Sequence, residues 1–416
     1  MKRALHRGAV LTAALTALSL SLVACGDDKS GDGGGGGKDP IVIGQVGNYS
    51  GQIPGLAGQG YGLQAWVKAT NAAGGVDGHQ IELHTADAKG DPASEVSQVT
   101  QMIGRYKPAA FVGMGLSTIA GSAPTVNKAG IPVIGGNTND VAWAVDPGLY
   151  ATGAGLLGTY LQGFFAVPSA GTKTGLVYCK ESAGCTGVKT MMFDLGLSKA
   201  NGGDPVYSAE ASLAAPSFTA QCIAAQQAGV QVLAVAFDTS NVIRLAKDCD
   251  KQGYHPVYAE SGTVPGDSLA AVPAMEGTLA GQADAPWFLT SGPVADQTAA
   301  MKKYFPKVPV DSTTVSGWTA GAALGRAIEN YLGKNPGGTV DAAAIKKGLG
   351  MFKSETLGGL TPPLTFTSSG VQKQTNCAFS IKIQDGKWVQ NGTDPVCPPD
   401  SIQSTLDSAL AALSKG

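Results

Sequence analysis

From residue 41 onward, short apolar runs alternate with longer segments of helical periodicity, and that alternation constrains the fold more than any other feature of the chain. "IVIGQV" (41–46) is apolar enough for a buried strand, and "GLQAWVKATNAAGG" sets Leu63, Trp66, Val67 and Thr70 on one face of a helix. Gly74 and Gly75 supply its left-handed stop. "QIELHTAD" (80–87), "AAFVGM" (109–114) and "IPVIGG" (131–136) read as the next strands, with helices at 92–105 and 118–130 between them. The series restarts with strands at 174–179, 205–211, 230–237 and 256–261, and helices near 155–166, 184–199, 216–228 and 239–252. Such alternation implies parallel sheets with right-handed crossovers, and two series imply two doubly wound lobes of α/β class. Helices near 293–304, 313–333 and 340–349 follow, then strands and turns at 364–392 with a tight hairpin at "QDGK". Such a tail implies a chain that crosses between lobes rather than a third domain. Residues 399–416 read as a short amphipathic helix or a frayed end.

The beginning of the chain has a different character. Lys2, Arg3 and Arg7 precede a nearly unbroken apolar or small stretch at 8–23, the order of a secretory signal. Its ending "LVAC", Leu22 to Cys25, resembles a bacterial lipobox, in which the cysteine is acylated and becomes the N-terminus after cleavage. An ordinary apolar signal with an incidental cysteine is the alternative. "GDDKSGDGGGGGKD" follows, and a flexible segment of about 14 residues averages roughly 20 Å end to end, which suits a tether. No later apolar run is long enough to span a bilayer. Six of the seven cysteines then remain to pair in an oxidising compartment. Sequence proximity favours Cys179 with Cys185, Cys222 with Cys249, and Cys377 with Cys397. The absence of any C-x-x-C spacing argues against a metal site.

A length of 416 residues suits two or three domains, and 43% hydrophobic against 14% charged residues describes a globular chain. A formal charge of −2 without a basic cluster gives nucleic acid and anionic membrane surfaces no foothold. Catalytic motifs are missing: there is no G-x-S-x-G elbow, P-loop or H-E-x-x-H. His79 and His84 lie five apart on an expected strand and face opposite ways. "GAGLLG", Gly153 to Gly158, fits a dinucleotide fingerprint with Glu181 downstream, but the polar, Pro147-broken stretch before it is no buried strand. It reads as small residues at a lobe crossing, and no cofactor is implied.

Open parallel sheets bind ligands at strand C-termini. Ser117 and Thr118 follow "AAFVGM", where a hydroxyl cap and free helix N–H groups would form an anion site; capping alone is the alternative. "GGNTND" ends the next strand with Gly136 and Thr138, a second turn suited to a carboxylate. In the second series, Asp238 and Thr239 end "VLAVAF", and Glu260 with Ser261 ends "PVYA". Two carboxylates there would suit an ammonium group, with surface solvation as the alternative.

"IVIGQVGNYSG", "NAAGGVDGHQIELHTADAKGDPASEV" and "GIPVIGGNT" resemble the type I periplasmic binding proteins, in particular the leucine/isoleucine/valine-binding branch of ABC importers, over roughly 40 to 390. The resemblance implies a Venus flytrap: two Rossmann-like lobes, three crossovers and a ligand in the cleft. It implies a signal at 1–24, a lipidated cysteine and tether at 25–39, and a first lobe from 40–155 plus 285–360. A second lobe from 156–284 plus 361–398 and a tail at 399–416 complete the chain. Ser117, Gly136 and Thr138 match the carboxylate grip, Glu260 the acid that takes the ammonium, and Tyr49 and Ser50 the cleft loop after the first strand. Asp238 falls near a position often aromatic in the family. The loop "CKESAGC" departs from it, with Ser182 and Ala183 where relatives commonly carry a tyrosine, so leucine-like specificity does not follow.

The expected function is a monomeric, extracytoplasmic, lipid-anchored receptor that delivers an amino acid or related carboxylate to an ABC permease and ATPase. A ligand-sensing surface lipoprotein, or a binder of an amide or aromatic acid, is the alternative. The missing nucleophile–base pair argues against an enzyme.

Overall fold

The computed structural model describes residues 38–50, 56–116, 118–138, 140–163, 170–181, 183–261 and 266–413. Strands β1 (Lys38–Gly47), β2 (His79–Asp87), β3 (Ala110–Met114), β4 (Val133–Gly136) and β5 (Leu149–Tyr150) form one parallel sheet in the order β2-β1-β3-β4-β5. A second sheet holds β6 (Lys173–Cys179), β7 (Asp204–Ala211), β8 (Val232–Ala236), β9 (Val257–Glu260) and β10 (Leu279–Gln282). Its order is β7-β6-β8-β9-β10, the same winding, extended by the antiparallel strands β11 (Phe379–Gln384) and β12 (Lys387–Gln390). The β11–β12 turn is the expected hairpin: Asp385 and Gly386 both have positive φ, 53° and 68°, which a two-residue type I′ turn requires.

The strands read from sequence are present, and two more appear. β5 is only two residues long, and β10, Leu279–Gln282, holds one large apolar residue beside Ala, Gly and Gln, so neither stands out as an apolar run. The helix expected at 118–130 is confined to Ala123–Ala129, because the Thr118 hydroxyl and the Ile119 N–H both turn onto the Asp140 carboxylate. The single helix expected at 184–199 is broken. Ala183–Lys189 passes into a π-turn at Thr190–Asp194, and Gly196 at φ 71° precedes a last turn, Leu197–Ala200. The C-terminal segment is helical over Gln403–Leu413 and packs Ile402 and Leu406 into a core beneath the second sheet.

The chain leaves the second sheet after β10, and its next helices pack against the first. Helix Ser312–Lys334, opened by an Asp311–Thr314 capping box, lies on helix Ala57–Ala72. The two backbones touch: a Cβ on Gly62 would stand 2.0 Å from the Thr314 carbonyl oxygen. Helix Gly292–Tyr304 flanks them, with the Phe305 ring 5.4 Å from Tyr61.

Three strands of chain thus pass between the lobes, and they are hydrogen-bonded to one another. The Ala154 N–H donates to the Ala283 carbonyl (2.9 Å), Gly155 to Thr375 (3.2 Å) and Ala285 to Leu360 (2.8 Å). "GAGLLG" lies in this weave. β5 before it belongs to one lobe, and helix Leu156–Gln162 after it packs against β10 of the other. A Cβ on Gly158 would come within 2.9 Å of the Asn376 carbonyl oxygen, so these glycines admit crossing chains rather than a pyrophosphate. All three cysteine pairs favoured by proximity are disulfides, and all belong to the second half of this design.

Candidate functional site

Each sheet has its topological switch between the first-wound strand and its two neighbours, the place where open parallel sheets leave a crevice. The ends of β4 and β10, farther along each sheet from that switch, meet at a cavity of about 30 Å³. Gly136, Asn137 and Thr138 line it from the first lobe, together with Gln59, Thr313 and Ser316 of the two touching helices. Thr159, Gln282 and Asp284 line it from the second lobe and the crossing.

Of the residues expected at a ligand site, Gly136 and Thr138 are at this cavity. Thr138 is buried, and its hydroxyl donates to the Ala154 carbonyl at 2.9 Å, tying the turn after β4 to the first crossing. Tyr49 and Ser50 do follow β1, but their hydroxyls are engaged within the first lobe. Tyr49 donates to Gln45 Oε1 (2.6 Å) and accepts from Gln64, while Ser50 donates to Asp87 (2.5 Å). Asp87 also receives the Tyr49, Ser50 and Lys89 N–H groups, and these bonds hold its carboxyl below the usual range despite desolvation. Thr118 donates to Asp140 (2.6 Å), five residues before the helix whose N-terminus it was expected to share. Ser117, Ser182 and Cys25 lie outside the described residues.

In the second lobe, Asp238 is a helix cap. Its carboxylate accepts from the Ser240 and Asn241 N–H groups, and Thr239 opens helix Thr239–Lys251. Glu260 is different. It is the last residue of β9, its relative exposure is 0%, and neither carboxyl oxygen has a hydrogen-bond partner. Burial alone pushes its pKa well above the usual carboxylate value. Tyr258, two residues earlier on the same face, also has a buried hydroxyl without a partner.

The cavity, which Glu260 does not line, holds another such group, one not expected from the sequence. Asp284 is 5% exposed, and its Oδ1 has no partner. Burial raises its pKa to about 7; the Ser316 and Thr319 hydroxyls lie near enough to favour the charged form, yet neither satisfies Oδ1. It lies two residues beyond β10, a strand that does not stand out as an apolar run. The available signal was an acid inside "LAGQADAPW", apolar on both sides. Among the described residues no group of three or more His, Cys, Asp or Glu side chains could hold a metal ion. No helix among them is long and apolar enough to cross a membrane.

Among the described residues, Asp284 at the cavity and Glu260 at the end of β9 each keep a buried carboxyl oxygen without a partner. Comparison with solved structures agrees in fold. The valine-bound branched-chain amino acid ABC transporter protein of Thermus thermophilus is 17% identical, with 89% of this chain and 99% of that one covered and a TM-score of 0.72. The fatty acid ABC transporter substrate-binding protein of Thermomonospora curvata is 18% identical, covering 88% and 94%, TM-score 0.71. A solute-binding protein of R. palustris in complex with benzoate is 17% identical, covering 86% and 98%, TM-score 0.65. No curated sequence matches the chain. The family model described as periplasmic binding protein matches residues 40–387, so the chain belongs to the periplasmic binding proteins, solute binders of type I fold and not enzymes.

Proposed function

We propose that this chain is the extracytoplasmic receptor of an ABC importer and binds a small amino acid or related carboxylate between its lobes. The observation that carries the reading is Glu260: a carboxyl sealed from water, unpaired, at the C-terminal end of a central strand. Burying such a group without a partner is costly, and the ammonium of a ligand would relieve the cost. The valine, fatty acid and benzoate named for the similar structures all carry a carboxylate, which supports a common acid-binding end. Ligand contacts made only when the lobes close would shift the open–closed equilibrium toward the form a permease recognises.

A thermal-shift screen over amino acids, amides and aromatic acids tests this. A ligand at 100 times its dissociation constant adds about 2.7 kcal/mol of stability. Glu260→Gln should weaken amino acids about a hundredfold and plain carboxylic acids little. Equal losses would remove the ammonium role. A second reading has an observation behind it: kept protonated by burial, Glu260 would donate a hydrogen bond, which suits an amide or aromatic acid. Stabilisation by those compounds alone would favour it.

Cys25 is the proposed membrane anchor, on the strength of the signal before it and the glycine-rich tether after it. Mass spectrometry of the membrane-extracted protein should find acyl chains there, and an unmodified Cys25 would end that proposal.

A further inference from the structure

The cavity at the lobe crossing is lined by acceptors. Asp284 Oδ1, Gln59 Oε1 and Asn137 Oδ1 are all buried and unpartnered. Asn137 is fixed in this sense, because its Nδ2 already donates to the Leu116 carbonyl at 3.1 Å. The hydroxyls beside them are committed too: Thr138 donates to Ala154 and Thr313 to Asp311, so toward the cavity both act as acceptors. No Lys, Arg or His lines the cavity. A volume of about 30 Å³ admits roughly two water-sized groups.

We propose that this cavity is a subsite for a protonated amine, with Asp284 as its counter-ion and the Gln59 and Asn137 side-chain oxygens as further acceptors. An ammonium group brings three or more N–H donors and a positive charge, which is what the wall lacks. As a subsite for the transported ligand it rests on the proposed solute-binding role. A ligand that carries an amine besides its α-ammonium, such as a basic amino acid, would answer it.

Asp284 is flanked by the Ala283 and Ala285 bonds to the other crossings, and Gln59, Asn137 and Ser316 all belong to the first lobe. The named acceptors therefore stand on the first lobe and the crossing, while Thr159 and Gln282 of the second lobe complete the wall.

The test uses methylammonium chloride as probe, against sodium chloride at equal ionic strength, with thermal unfolding of the mature chain at pH 8 as readout. Methylammonium should stabilise the wild type beyond sodium, and Asp284→Asn should weaken its apparent affinity by at least about tenfold. Asn137→Ala, which keeps the carboxylate, should weaken it about threefold. Glu260→Gln should weaken amino-acid binding about a hundredfold yet retain the methylammonium response. Equal effects of sodium and methylammonium, or an undiminished response in Asp284→Asn, would overturn the proposal. A screen in which no amino acid binds while the Asp284-dependent response persists would sink the proposed ligand class and leave the subsite standing.

Discussion

Helices Ala57–Ala72 and Ser312–Lys334 hold the first lobe by lying backbone against backbone at Gly62, and no cysteine occurs anywhere in that lobe. The second lobe, wound in the same strand order, is instead cross-linked. Cys222–Cys249 ties helix Thr219–Gln227 to helix Thr239–Lys251, Cys179–Cys185 ties the end of β6 to the helix after it, and Cys377–Cys397 brackets the β11–β12 hairpin. A bridge closing a separation of 27 residues contributes on the order of 3 kcal/mol, mostly by restricting the unfolded chain. The strand ends differ as well. Thr118, Thr138, Ser50 and Tyr49 of the first lobe all donate to protein partners, whereas Glu260 of the second has none. The strand-end hydroxyls of one lobe are committed before a ligand arrives; the other lobe keeps a buried acid without a partner.

The sharpest way to break this contrast is at Gly62. A methyl group there meets a backbone carbonyl, which cannot swing aside as a side chain could. Gly62→Ala should cost more than about 3 kcal/mol even though alanine is the better helix former, and should do so equally under reducing and oxidising conditions. Gly104, in helix Pro92–Tyr106 with open space around its Cβ position, is the control: Gly104→Ala should gain up to about 1 kcal/mol. Urea denaturation of both variants decides it. A neutral Gly62→Ala would show that close helix contact is not what holds the first lobe.

The sequence disclosed what depends on periodicity and on proximity along the chain. Long apolar runs such as 41–46 and 230–237 showed the sheets, and the cysteine spacings showed the pairings now seen as disulfides. "GAGLLG" was legible as a crossing because the residues before it were too polar for a buried strand. Two kinds of feature were hidden. β5 spans two residues and β10 four, and Asp284, just beyond β10, was hidden with that strand. Side-chain commitments were hidden too. Nothing in "NYSG" says that the Ser50 hydroxyl donates a hydrogen bond to Asp87, a residue 37 positions away, or that Asp238 caps its own helix. Glu260 was visible in sequence as an acid at a strand end. Only the fold reveals that it is sealed from water and unpaired.

A smaller effect sharpens the contrast between satisfied and unsatisfied acids, because each lobe or crossing offers one with a pKa near 7. Glu95, beneath the first sheet, is raised to about 7 by burial, with the Ser122 hydroxyl donating to its Oε1 and pulling it back. Asp284 is raised to about 7 with Oδ1 unpaired. In both, the folded state holds its proton more tightly than the unfolded state, whose carboxyls titrate near 4. The folded state therefore binds more protons between about pH 4 and 7, and stability falls as pH rises through that window, then levels off above it. For Asp284 alone the loss between pH 5 and 7 should be about 2 kcal/mol, given 1.36 kcal/mol per unit and partial titration near 7. Asp284→Asn should flatten the profile by that amount. Glu95→Gln should flatten it similarly but also lower stability at pH 5, because the amide meets Ser122 less well than the carboxyl does. A saturating amine in the crossing cavity should reverse the Asp284 slope, since it stabilises the charged form that burial disfavours. If the ligand-free profile is unchanged in Asp284→Asn, the acid at the crossing is as well satisfied as its counterpart in the first lobe, and the difference between the two regions narrows to Glu260 alone.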